Sequence, residues 1–131
     1  MFQQGVTLFN RGLHWEAHEV FEDVWRLQEG ETKRLAQGFV QIAAAFSYIR
    51  KQRYDSILYL FDKSTEKLTT SAHLFPEANI PELIAAMAGA KAEVTRLGEA
   101  GLKKFPYSLY PRIVIASHTK SHKRVKRRRN T

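Results

Sequence analysis

The chain of 131 residues contains no cysteine. That excludes disulfides, thiol nucleophiles and every Cys-ligated zinc or iron–sulfur site. No apolar run approaches the ~20 residues needed to cross a bilayer. The first residues show no basic-then-apolar leader pattern. Membrane insertion is therefore not expected. The default location is the cytoplasm, or the plastid stroma for a plastid lineage. There is no Gly-x-Ser-x-Gly and no phosphate-cradling glycine loop, so no nucleophile sits in a recognisable setting. Two further absences are local. No Asp, Glu or His lies between Lys33 and Tyr54, and none of the 13 acids follows His118.

Hydrophobic residues make up 44% and charged residues 26%, a globular composition. The length suits one domain with a real core. The net charge of +8 is unevenly spread. Seven of the 21 Lys and Arg fall after His118: Lys120, Lys123, Arg124, Lys126, Arg127, Arg128 and Arg129. The other 14 face all 13 acids, so residues 1–117 carry about +1. The expected division is a helical domain over 1–117 and a basic tail over 118–131. With Val125 as its one apolar residue, the tail is expected to be disordered. Its seven cations nominate RNA or DNA as a partner, bound by counterion release with little sequence preference. No aromatics interleave with them, so base stacking is not expected there. A purely solubilising end is the plainer alternative.

Apolar spacing predicts helices throughout the body. Phe2 to Arg11 forms a short one, closed by Gly12. A second runs to about Gln28 and stops at Glu29-Gly30. Thr32 is a plausible N-cap for the third, which is apolar nearly all round from Leu35 to Ile49 and should be the buried centre. Asp55 opens another, with Ile57, Leu58, Phe61 and Leu68 inward. Pro81 suits the first turn of the last, which carries Leu83, Ile84, Met87, Val94 and Leu97 and is closed by Gly98 and Gly101. Phe105 to Ser117 holds two prolines and the run Ile113-Val114-Ile115. A lone strand has no partner in a helical domain, so this segment is expected to lie over the bundle as extended chain or a short helix. The fold class is all-α: a compact antiparallel bundle of four to five helices. Gly5, Gly12, Ala17 and Phe21 follow the spacing of a tetratricopeptide-like helix hairpin. A faint copy, with Ala17 placed on Ile57, is offset by 40 residues.

The chemistry-bearing stretch is H-W-E-A-H-E-V-F-E-D-V-W-R, His14 to Arg26. On a helical wheel Leu13, Ala17, Val20, Val24 and Leu27 form a core stripe with Phe21 at its edge. His14, His18, Glu22 and Trp25 form a second stripe, with Trp15, Glu19 and Arg26 further round and Glu16 and Asp23 toward solvent. Trp15 and Trp25 on two sides imply that another segment covers them. Because the next loop is short, Glu22 and Asp23 should come opposite Arg34 to Gly38, and His18 near Gln41. The candidate polar face is therefore Glu16, His18, Glu19, Glu22, Trp25, Arg26, Arg34, Gln37 and Gln41. Such a face is usually structural. It could also raise a Glu pKa or poise a His for acid–base work.

His14 and His18 are four apart, a spacing that can place both on one metal, with Glu22 one turn on. The order is H-x-E-x-H rather than H-E-x-x-H, so zincin chemistry is not supported. The next helix offers no acid or His, and further ligands would have to come from Asp62, Glu66 or His73. No bound metal or cofactor is expected. The metal alternative is His14, His18 and Glu22.

The stretch L-F-N-R-G-L-H-W-E-A-H-E-V-F-E-D-V-W-R, followed by Q-G-F-V-Q-I-A-A-A-F, resembles a family of small bacterial, archaeal and plastid-lineage proteins. It is catalogued as a domain of unknown function, DUF309. The resemblance covers Phe2 to about Leu68 and rests on the E-A-H-E-x-x-E-x-x-W-R core with its Q-G-x-x-Q partner. It implies a compact all-helical domain and carries no established activity or cofactor. The matched polar positions are Glu16, His18, Glu19, Glu22, Trp25, Arg26, Gln37 and Gln41. The functional expectation is a non-enzymatic interaction module with a polyanion-binding tail. Its His18 face would be structural or receive a protein partner or a second copy. The alternative is a metal-dependent or acid–base enzyme using His18, Glu19 and Glu22.

Overall fold

The computed structural model describes residues 1–116, so the basic run from His118 lies outside the described residues. Five α-helices follow one another: α1 Phe2–Asn10, α2 His14–Arg26, α3 Gly30–Arg50, α4 Ile57–Ser71 and α5 Ile80–Gly101. Single 3₁₀ turns occupy Ala72–Leu74, Leu102–Lys104 and Tyr107–Leu109. Each α-helix packs on the next in sequence. Helices joined by so few residues must fold back on one another. The result is a compact all-α bundle.

The centre is α3, whose buried residues include Gly38, Phe39 and every position from Ile42 to Ser47. It packs against both α2 and α4. Gly38 marks a close crossing: a Cβ there would stand 2.7 Å from Leu68. The Ser64 hydroxyl donates to the Gly38 carbonyl at 2.8 Å across the same seam. Phe39 and Phe46, two turns apart, each anchor a cluster of rings. Phe39 meets Phe2 at 5.0 Å and Phe21 at 5.7 Å between centroids. Phe46 meets Phe61 at 5.1 Å and Tyr110 at 5.6 Å. Burying each such ring is worth roughly 1.5–3 kcal/mol.

Two helices end with the same pair of hydrogen bonds. At the end of α1, Leu13 N donates to Leu8 O and Gly12 N to Phe9 O, with Gly12 at φ +82°. At the end of α3, Arg53 N donates to Tyr48 O and Gln52 N to Ile49 O, with Gln52 at φ +56°. Both are left-handed closures that cap orphan carbonyls. Glycine fits the first without strain, whereas Gln52 holds the second against its Cβ.

The buried face of α2 differs from the wheel. His14, Ala17 and Phe21 are buried, while Leu13 is 38% and Leu27 70% exposed. The helix is turned so that Phe21 enters the space left by Gly5, where a Cβ would lie 2.4 Å from its ring. That brings His14 inward on the same arc, and Val20 and Val24 are half-buried at the margin. Thr32 is not an N-cap: α3 starts at Gly30, and the Thr32 hydroxyl donates to the Glu29 carbonyl at 2.7 Å. The α4 helix begins at Ile57, two residues later than expected from Asp55, after Ser56 at φ +73°. In α5, Gly98 at φ +68° breaks the helix, and one further turn follows.

The segment after Leu109 is extended and does find a backbone partner. Ala78 and Ile115 form a single antiparallel bridge. Asn79 N donates to Val114 O at 3.0 Å and Ala116 N to Glu77 O at 2.8 Å. Two asparagine side chains complete the attachment. Asn10 accepts from Ile113 N at 2.8 Å and donates to Ile113 O at 2.9 Å. Asn79 accepts from Val114 N at 2.8 Å and donates to Arg112 O at 2.9 Å. Each amide serves as a surrogate peptide group for a chain that lacks a full sheet neighbour.

Candidate functional site

The face nominated by the sequence is only partly assembled. His18 stacks on Trp15 with centroids 4.4 Å apart and planes at 19°. Lys51 Nζ stands 3.9 Å from the centroid of the same indole. Trp25 is half-buried, with Lys33 Nζ 4.6 Å from its centroid. Both tryptophans are thus contacted by a lysine from α3 or its end. Glu16 and Glu19 are exposed. Burial lowers the His18 pKa and Lys51 lowers it further, while Glu22 and Glu19 pull it upward. The imidazole Nδ1 of His18 and Oε1 of Gln41 are both buried without a hydrogen-bond partner among the described residues. The pairing of His18 with Gln41 is therefore not made through those atoms.

Arg34 corrects the expectation more sharply. It turns from α2 to α4, where Nε donates to Thr70 Oγ1 at 3.0 Å and Nη2 lies 3.7 Å from Glu66. Glu22 and Asp23 instead pair with Arg26 on their own helix, at 3.4 and 2.9 Å. These contacts are exposed and worth a few tenths of a kcal/mol each. Gln37 is half-buried on α3. The ligand trio His14, His18 and Glu22 is not brought together, because His14 points into the core. Among the described residues no group of three His, Asp or Glu is placed to hold an ion. The basic residues Lys120 to Arg129 lie outside the described residues.

A second cluster, which the sequence reading missed, forms where the α1–α2 turn, the end of α3 and the 105–112 segment meet. His14 is 2% exposed. It packs edge-on to Phe9 at 4.8 Å and stacks on Tyr110 at 5.2 Å. Arg50, the last residue of α3, donates from Nε to His14 Nδ1 at 3.1 Å. An accepting Nδ1 carries no proton, so the imidazole is neutral with its hydrogen on Nε2. Burial, and then the Arg50 charge, push the His14 pKa down to about 4. The guanidinium lies 4.5 Å from the Tyr110 ring centroid and 5.6 Å from that of Tyr107. Burial raises the Tyr110 pKa, against the pull of Arg50. Gly12 makes the arrangement possible, since a Cβ there would lie 2.7 Å from Arg50 Nη2.

Two clefts flank this guanidinium. One, about 260 Å³, is lined by Asn10, Gly12, His14, Ser108 and Arg112 among others. The other, about 230 Å³, includes Gln52, Lys103 and Phe105. Arg50, Tyr107 and Tyr110 belong to both, and neither lining contains an acid.

Comparison with known families fixes where the first of these faces belongs. Residues 2–60 match the model of a family described as Domain of unknown function (DUF309). These residues belong to the DUF309 family. No curated protein and no solved structure matches the chain. The DUF309 stretch spans α1 to α3 and the first turn of α4. It holds all nine residues of the nominated polar face, together with His14 and Arg50. Tyr107, Tyr110 and Arg112 lie beyond the DUF309 match, as does the basic run. The sequence signals for the second cluster were thin. Gly12 marked only a helix end, and Arg50 lies 36 residues from His14.

Proposed function

We propose that this DUF309 protein is a non-enzymatic helical interaction module that binds polyanions through its C-terminal basic run. One observation carries the reading: the separation of charge along the chain. The last fourteen residues hold seven cations and no acid, beside a body of about +1. Such a run exchanges condensed counterions for its own cations, so binding is strong at low salt and weakly selective. The partner that fits is RNA or DNA. The test is the full chain with Lys120, Lys123, Arg124, Lys126, Arg127, Arg128 and Arg129 all changed to Gln. Binding to single-stranded RNA and duplex DNA should fall at least tenfold at moderate salt, with helicity unchanged. Equal affinity of the two proteins would make the run a solubilising end only.

A second reading is favoured by the Nδ1 of His18, which has no hydrogen-bond partner among the described residues and feels the charges of Glu22 and Glu19. A half-buried imidazole lacking a partner can take or give a proton to a bound group. In that reading His18, Glu19 and Glu22 serve an acid–base enzyme. It predicts a ligand whose binding alters the His18 ring signals in an NMR titration. If those signals respond only to pH across a broad metabolite panel, the face is structural.

A further inference from the structure

We propose that the paired clefts at Arg50 form a binding site for a nucleotide, with its phosphate on Arg50 and its base against Tyr107. The ligand chemistry is a phosphate ester next to a planar heteroaromatic ring, as a free nucleotide or as one unit of a strand. The site shares with the polyanion reading only a preference for phosphate and stands on other residues.

Four observations converge. First, Arg50 spends only Nε, on His14, and no carboxylate pairs with it among the described residues. An imidazole that accepts through Nδ1 fixes the fork without cancelling its charge, which an Asp or Glu in that place would do. The two η nitrogens are left to present the bidentate edge that suits a phosphate. Second, the clefts on either side lack acids and add cations, Arg112 to one and Lys103 to the other. Third, the Tyr110 and Tyr107 rings, 4.5 and 5.6 Å from the guanidinium, hold it in place while Arg50 stays exposed and within reach of an anion from solvent. Fourth, Tyr107 is 75% exposed, a large ring that lines both clefts. An open aromatic face beside a cation is the combination that stacks a base while holding its phosphate. Each cleft is smaller than the roughly 300–1,000 Å³ of a whole small-molecule pocket. One therefore suits a phosphate and the other a ring. Arg112 and Ser108 place the phosphate in the cleft on the Asn10 side.

The test uses the full-length protein, with calorimetry and the Arg Nε–Hε signals in NMR as readouts. The probes are inorganic phosphate, adenosine and uridine monophosphates, and a short oligouridylate. The monophosphates should shift the Arg50 Nε–Hε signal and bind more tightly than inorganic phosphate. Tyr107→Ala should weaken the monophosphates at least fivefold and leave inorganic phosphate unchanged. Arg50→Lys should weaken all probes at least tenfold. If Arg50→Lys disturbs the fold, Arg112→Gln, on an exposed residue, should still weaken the monophosphates severalfold. The protein with the seven basic residues changed to Gln separates this idea from the preceding one. It should keep monophosphate binding while losing most oligouridylate affinity. Retained oligouridylate binding in that protein, lost on adding Tyr107→Ala, would make strand nucleotides the ligand. No shift of Arg50 at millimolar monophosphate, or affinities untouched by Tyr107→Ala and Arg112→Gln, would overturn the proposal whatever the basic run does.

Discussion

His14 acts as a neutral, buried acceptor, and that has a consequence for acid stability. Its pKa falls from the ordinary 6.5 to about 4 in the folded chain. A base with a lowered folded pKa leaves the unfolded state binding more protons between those two values. Its contribution is therefore full above pH 6.5 and is lost as pH falls toward 4. The size is on the order of 3 kcal/mol at the lower end. His18 is shifted in the same direction, chiefly by burial, so its contribution is likewise present above pH 6.5 and declines as pH falls below it. Urea midpoints should drop steeply between pH 7 and pH 4.5, and His14→Asn should flatten that profile while lowering stability at pH 7. A wild-type midpoint equal at the two pH values would show that His14 titrates normally.

Two attachments between elements can be weighed by mutation. The α3 terminus closes on Gln52 in a left-handed conformation. That conformation costs a side-chain-bearing residue about 1–2 kcal/mol, and glycine loses part of the gain through its looser unfolded chain. Gln52→Gly should raise stability by about 0.5–1 kcal/mol, read as a higher melting temperature. The second attachment is the asparagine pair that holds residues 112–114. Asn79→Ala removes two hydrogen bonds and should cost about 1–2 kcal/mol. Amide exchange at Val114 should then quicken by an order of magnitude or more, with the α3 amides much less affected. Unchanged protection at Val114 would mean that the backbone bridge alone holds the segment. The helices were legible because α3 is apolar nearly all round from Leu35 to Ile49 and because Leu83, Met87, Val94 and Leu97 recur at helical spacing in α5 up to the break at Gly98. The rotation of α2 was not, because it depends on the space Gly5 leaves for Phe21, and no wheel of α2 contains that space. The segment over 105–117 was expected as extended chain or a short helix, but its attachment was not legible: it is held by the side-chain amides of Asn10 and Asn79 and by one bridge to Ala78, which no strand pattern announces. The stack of His18 on Trp15, a residue outside the nominated face, was not announced by spacing, and neither was the turn of Arg34 from α2 to α4, which Thr70 and Glu66 decide.

At the scale of the molecule, charge is the feature that sequence alone makes plain, since it needs no coordinates to count. If all seven cations after His118 meet phosphates, log affinity should fall against log salt with a slope of roughly −5 to −6, between single-strand and duplex values. Titrations at several salt concentrations measure it directly. A slope nearer −1 or −2 would mean that only one or two of these cations touch the partner. Geometry at this scale was much less legible. Arg50, His14 and Tyr110 come from three separated stretches, and only the folded chain brings them together.

The tie between Asn10 and Ile113 joins positions 103 residues apart. Ribosomes add about 5–20 residues per second. The residues of the α1–α2 and α2–α3 hairpins are thus synthesised seconds before Tyr110. Until then Phe9, His14 and Phe46 are missing one covering ring, and Arg50 has no tyrosine beside it. A nascent or prematurely released chain that stops short of Tyr110 can be mostly helical and still lack the cleft. Ligand binding at Arg50 would therefore report that synthesis had passed that point, which helix content cannot do.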